Sequence, residues 1–224
     1  MNSNYKVIKF RSNNSKEVDD QVSIEEPLEI ILKYKNKENW VENTISITMR
    51  TPGDDEDLVT GFLFNERVIE KINHIESIVT HGELVGQYKL KNKIIITINN
   101  SENIDIDKIK RNFLTNSSCG VCGKTSLESL EIIKKDKIIK SIPKIHHEIL
   151  MKSPDILRQK QSEFSKTGGI HASGLFNTRG EIIALKEDVG RHNALDKLIG
   201  YVLKKKLLDN SSQFLTCLGG LILI

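Results

Sequence analysis

Residues 167–202 read TGGIHASGLFNTRGEIIALKEDVGRHNALDKLIGYV, and this stretch decides the fold. Thr167-Gly168-Gly169 is a turn signal. Residues 170–176 then read as a strand, Asn177-Thr178-Arg179-Gly180 as a hairpin turn, and 181–186 as the returning strand. Asp188 reads as the N-cap of a final helix, because Leu195, Leu198, Ile199 and Val202 fall on one helical face behind it. A hairpin followed by a helix with one apolar stripe must bury that stripe on a sheet, so the expected class is a layered α/β domain.

Outward from this stretch the same alternation of element types continues. A helix is expected around 154–164, after a connection at 135–147 that carries Pro143. Before it, Asn116-Ser-Ser-Cys119-Gly-Val-Cys122-Gly123 is a loop of small residues. A helix should follow, since Thr125 and Glu128 form a capping-box pair and Leu127, Leu130 and Ile133 form a stripe. Residues 103–113 become helix-like toward their end. Nearer the N-terminus, Pro27–Leu32, Ile45–Met49, Ile75–Val79 and Ile94–Ile98 read as strands. Leu58, Val59, Phe62 and Leu63 predict an amphipathic helix over 55–66, its first turn rich in the acids Asp54–Asp57 that favour the positive end of a helix dipole. Residues 1–23 are polar and expected to be ragged. The chain therefore divides into a polar segment at 1–23, a β-rich subdomain at 24–114, an α/β domain at 115–210 and an apolar tail at 211–224.

Composition narrows the function. Thirty-three Lys and Arg against thirty Asp and Glu leave a net charge of +3 over 224 residues, too little for an electrostatic nucleic-acid clamp. With seven Phe, four Tyr and one Trp, a stacking platform for single strands is not expected either. The tail's apolar run is short of the roughly 20 residues that cross a bilayer. The N-terminal residues carry no apolar leader, which points to the cytoplasm. Three cysteines are an odd number, and in a reducing compartment close cysteines mean metal or thiol chemistry more often than a bridge.

Cys119-Gly-Val-Cys122 has four readings. Zinc would need two further ligands, and the remaining cysteine, Cys217, is far along the chain. A thioredoxin-type pair would follow the first strand of a small βαβ unit. Two packed, inert thiols are the bland reading, which the flanking glycines disfavour. The preferred reading is a nucleophilic, sulfur-carrying thiol. The helix start at Thr125 and the cation of Lys124 would lower a thiol pKa from its ordinary value of about 8.5, and small neighbours leave room for a second large molecule. His146-His147-Glu148 formally supplies the H-x-E of zinc deaminases, but it follows the cysteine pair instead of preceding it, and no proline stands before Cys119. These histidines are expected on the surface of a connection.

Two further segments suit an anion. The glycine turn at 167–174, with Gly168, Gly169, His171 and Ser173, would let backbone N–H groups approach a phosphate, although a tight turn into a strand explains it equally well. Arg191, His192 and Asn193 fall in the first turn of the last helix. An arginine there opposes the dipole and makes sense if an anion binds, whereas a solvated first turn is the plain alternative.

Together with Arg50-Thr-Pro-Gly-Asp54 and Gly61-Phe-Leu-Phe64, the cysteine motif, the 167–174 segment and Glu187-Asp-Val-Gly-Arg-His-Asn-Ala-Leu-Asp-Lys197 resemble the formate dehydrogenase accessory sulfurtransferase family, FdhD, over about residues 20–205. The resemblance implies a cytidine deaminase-like α/β fold without deaminase zinc chemistry. It implies a sulfur carrier that takes sulfur from a cysteine desulfurase as a persulfide on Cys119, with Cys122 as its partner. The sulfur passes to the molybdenum of bis-molybdopterin guanine dinucleotide before that cofactor enters formate dehydrogenase. The cofactor is then a bound substrate, contacted by Gly168, Gly169, His171, Ser173, Arg191, His192 and Asn193, and no resident metal is expected. The partners are the desulfurase and the dehydrogenase, with room for a homodimer. A non-catalytic cofactor-binding chaperone is the alternative. The run Ser211–Ile224 does not match the resemblance, and the expectation is a truncated or frame-shifted end with Cys217 incidental to it.

Overall fold

The computed structural model describes residues 2–12, 14–99, 144–208, 212–217 and 220–222. The elements expected at 103–113, 116–123 and after Thr125 lie outside these residues. The class is mixed α/β, as expected, built from three sheets and four α-helices among the described residues.

Strands β3 (Glu26–Asn36), β4 (Asn39–Arg50), β5 (Ile75–Val85) and β6 (Leu90–Ile98) form one sheet in the order β4-β3-β6-β5. β3 runs parallel to β6, and the other neighbours are antiparallel. Period-two alternation turns Leu28, Ile30, Leu32 and Tyr34 of β3, and Ile94, Ile96 and Ile98 of β6, to one face. Helix α1 (Asp55–Asn65) covers that face with Leu58, Val59 and Leu63.

The second four-stranded sheet contains the stretch read first. It comprises β7 (His171–Asn177), β8 (Ile182–Asp188), β9 (Gln213–Cys217) and β10 (Gly220–Ile222), all antiparallel, in the order β10-β9-β7-β8. Helices α2 (His147–Lys160) and α3 (Ser162–Thr167) precede it, and α4 (Arg191–Lys205) follows β8. One face packs Ala172, Phe176 and Phe214 on Leu157 of α2. The other packs Leu175, Ala184 and Leu215 on Leu198, Ile199 and Val202 of α4. Gly174 faces α2, where a Cβ would run into Leu157.

Helices α1 and α4 join the two sheets. A Cβ at Gly61 would strike the Asp196 carbonyl, and one at Gly200 the Asp57 carbonyl, so each helix presents a glycine to the other's backbone. This close crossing corrects the expected amphipathic character of α1. Asp57, Leu58, Val59, Thr60, Gly61 and Leu63 are all buried, because the helix is covered by a sheet on one side and by α4 on the other.

Four other expectations change. Residues 1–23 are not ragged. Strands β1 (Asn2–Arg11) and β2 (Asn14–Ser23) form an antiparallel ribbon with Lys6–Glu17 and Lys9–Asp20 ion pairs, docked on α3 through Asn2–Glu163 and Ser23–Thr167 hydrogen bonds. The helix expected at 154–164 is two helices, the first beginning at His147 and running through Pro154. Proline has no N–H for the Leu150 carbonyl, and the Ser153 hydroxyl donates to that oxygen at 2.9 Å instead. Asp188 is not the N-cap of α4. Gly190 occupies that position, and Asp188 is the buried last residue of β8. Within the tail, Gln213–Cys217 pairs with β7, and Phe214 and Leu215 fill the cores on the two faces of the sheet. Among the described residues no helix is long and apolar enough to cross a membrane.

Candidate functional site

Three of the motif segments, at 50–54, 167–174 and 187–197, meet where β8 ends. Asp188 is fully buried, and its two oxygens are shared among four donors. Oδ1 accepts from Gly190 N at 2.8 Å and Asn193 Nδ2 at 3.1 Å. Oδ2 accepts from Thr51 N at 3.1 Å and pairs with Lys197 Nζ at 2.7 Å. Lys197, equally buried, also donates to the Thr51 carbonyl at 2.7 Å, and Thr51 Oγ1 accepts from Val189 N at 3.0 Å. Asn193 reaches across to β4, donating to the Met49 carbonyl at 2.7 Å and accepting from Thr48 Oγ1 at 3.1 Å. A buried ion pair is tolerable only when its remaining hydrogen-bonding capacity is met, and here the two sequence segments 48–51 and 188–197 meet it for each other.

A second clamp lies just behind. Arg50, almost fully buried, grips Asp55 with Nε and Nη2, each at 3.0 Å, and donates through Nη1 to the Glu26 carbonyl at 3.1 Å. Lys186 on β8 pairs with Asp54 and Asp57, both at 2.9 Å. Burial favours the neutral amine, but the two carboxylates outweigh it and hold Lys186 above the usual lysine value. The acids at the start of α1 thus serve specific cations as well as the helix dipole.

Around this buried knot is an exposed rim. His171 begins β7 directly opposite Asp188, so Gly168 and Gly169 before it and Arg191 and His192 beyond Gly190 come to the same end of the sheet. All five are exposed. Partial burial, with the neighbouring Arg191 charge, holds His192 below the ordinary imidazole value. Exposed imidazoles, a guanidinium and the positive end of a fifteen-residue helix form a surface that suits an anion.

The expected contact residues therefore divide. Gly168, Gly169, His171, Arg191 and His192 stand at the rim, whereas the Asn193 side chain is held within the knot. Ser173 is buried, with its hydroxyl 3.1 Å from Cys217 Sγ. Burial raises the Cys217 thiol pKa, against the opposing Ser173 hydrogen bond. Cys119 and Cys122 lie outside the described residues. His146, His147 and Glu148 are exposed at the start of α2, with donor atoms within 4.8 Å of one another. Sequence reasoning missed Thr51, Lys197 and Glu187 as parts of this region. All three sit in the quoted motifs, and the available signal was an unpaired-looking Lys197 on the otherwise apolar face of α4.

Comparison with known proteins bears on the same segments. The profile of the FdhD/NarQ family matches residues 23–219, which takes in β9, an element the motifs alone leave outside the resemblance. A protein of Picrophilus torridus named sulfur carrier protein FdhD is 40% identical over 203 residues, covering 90% of this chain and 71% of that protein. Proteins of the same name are 36% identical in Saccharolobus solfataricus, over 97% of this chain and 76% of the relative, and 38% identical in Streptomyces avermitilis, over 96% and 74%. The crystal structure of a protein described as a formate dehydrogenase accessory protein from Desulfotalea psychrophila superposes with a TM-score of 0.61 at 24% identity, over 96% of this chain and 74% of that one, a likeness of fold. By the extent of the profile match and by these identities, the chain belongs to the FdhD/NarQ family.

Proposed function

We propose that this protein is a sulfur carrier in formate dehydrogenase maturation, acting as a persulfide-based sulfurtransferase. The observation that carries this reading is the family match across residues 23–219, with relatives named as sulfur carriers, in a chain that has a glycine-flanked Cys119-x-x-Cys122 pair. In the first step the Cys119 thiolate attacks the outer sulfur of a persulfide on a cysteine desulfurase. The donor S–S bond breaks, the donor thiolate leaves, and Cys119 keeps the sulfur. Cys122 is the neighbouring thiol of the transfer. The acceptor is the molybdenum of bis-molybdopterin guanine dinucleotide, held as substrate before it enters formate dehydrogenase, in the cytoplasm.

The rim fits the anionic part of such a substrate. Pyrophosphate oxygens suit Arg191, the start of α4 and the backbone N–H of Gly169, which the Gly168 turn presents, with His171 and His192 as hydrogen-bonding imidazoles. Asn193 and Ser173 contribute through what they hold in place. We read the C-terminal sheet, with helices on both faces, as the deaminase-like layer that carries this site.

The test is intact-mass spectrometry after incubation with a cysteine desulfurase and cysteine. The wild-type chain gains one sulfur, and Cys119→Ala gains none while its circular dichroism is unchanged. Cys122→Ala is expected to be partly impaired. A full adduct on Cys119→Ala would remove that residue from the role. A wild-type chain that binds guanine nucleotides and never gains sulfur would favour a non-catalytic cofactor chaperone.

A further inference from the structure

β8 ends in two adjacent carboxylates, Glu187 and Asp188. Successive side chains of a strand point to opposite faces. Asp188 therefore turns toward α4 and the 48–51 segment, and Glu187 turns toward α3. Glu187 Oε1 accepts from Phe164 N at 3.0 Å and from Gln161 Nε2 at 3.5 Å, and Oε2 accepts from Glu163 N at 3.1 Å and Ser162 Oγ at 3.3 Å. The first N–H groups of a helix have no partner within it, and here one carboxylate from a neighbouring strand takes two of them. A six-residue helix does not hold itself together in water. Its register depends on this anchor and on the Ser23–Thr167 contact from β2.

What the anchor controls lies at the other end of α3. Gly168 closes the helix in the left-handed region, φ 68°, with its N–H on the Phe164 carbonyl at 2.8 Å, and Gly169, Ile170 and His171 lead into β7. Phe164 thus receives the carboxylate at its N–H and the glycine turn at its carbonyl. We propose that Glu187 is a positioning residue: by fixing the start of α3 it sets the glycine turn Gly168-Gly169 and His171 for a phosphate-bearing ligand at the rim. The proposal rests on the reading of the rim as an anion site.

The sign of one measurement separates positioning from charge. If Glu187 acted only as a nearby negative charge, its removal would tighten an anion. Positioning requires the reverse. The probe is guanosine diphosphate, titrated into wild-type protein, Glu187→Gln and Glu187→Ala. Glu187→Gln keeps size and one acceptor oxygen, so the expected order of affinity is wild type, then Gln, then Ala, with Ala weaker by about tenfold. Amide exchange at 163–169 should speed up in the same order. Faster exchange with equal or tighter binding would overturn the positioning role. A wild-type chain that does not bind the diphosphate at all would overturn the anion reading underneath, and this proposal with it.

Discussion

Asp188 and Arg191 are three residues apart in one motif, yet they stand in opposite circumstances. Asp188 is inaccessible to water, and each of its oxygens is bonded twice within the chain. Arg191 is exposed at the start of α4. The knot around Asp188 ties the end of β4 and Thr51 to α4, and the rim is what the knot holds out to solvent. The 187–197 segment therefore mixes two kinds of residue, those that fix the backbone and those held out to solvent. Sequence spacing does not separate them.

The largest expected effect breaks the knot. Asp188→Ala leaves the Lys197 ammonium buried without its partner and should cost about 3–5 kcal/mol of stability in denaturant unfolding. Replacing both Asp188 and Lys197 by apolar residues should cost less than the sum of the single changes. A strictly additive cycle would show that the pair is not coupled. Gly200→Ala places a Cβ against the Asp57 backbone and forces α1 from α4, at a cost of about 1–3 kcal/mol. A neutral result there would mean that the helix crossing is looser than described.

A pH-dependent effect sits at the same crossing. Burial pushes the Asp196 carboxyl up to about 8, with Glu66 and Asp188 adding to the shift and a 2.6 Å hydrogen bond from Asn65 opposing it. In an unfolded chain an aspartate titrates near about 4. Between those values the folded chain holds a proton that the unfolded chain has lost, so stability should fall as pH rises from about 4 to about 8 and level off above. The slope is bounded by one proton, about 1.4 kcal/mol per pH unit. Asp196→Asn should flatten the profile, and an unchanged slope in that variant would assign the dependence to other groups.

Much of the fold was legible because local signals agreed. The Asn177–Gly180 turn, the strands on either side of it and the apolar stripe of α4 follow from turn chemistry and periodicity, and all three are present. The acids before Leu58 marked the start of α1 correctly. What sequence could not supply was the third dimension. Asp188 has the right identity and position for an N-cap, but Gly190 N and Thr51 N reach it first, and the latter is 137 residues away. The β1–β2 ribbon was missed because its few apolar residues, such as Ile8 and Phe10, are set among polar ones and stay exposed, and its support comes from α3. β9 is short and follows no recognisable motif, and it counts as core only because β7 lies beside it. The rim residues were legible as a set, from a glycine turn and an arginine in a first helical turn. Their neighbours Ser173 and Asn193 have the same polar character in sequence, and only burial tells them apart.

The division into knot and rim is tested most directly by titrating guanosine diphosphate into wild type and Arg191→Ala, with denaturant unfolding of both proteins measured in the same buffer. The account predicts affinity lower by about tenfold, equivalent to about 1.4 kcal/mol, with stability within about 0.5 kcal/mol of wild type. Equal affinity in the variant, or lost affinity only together with lost stability, would contradict it and return Arg191 to the frame.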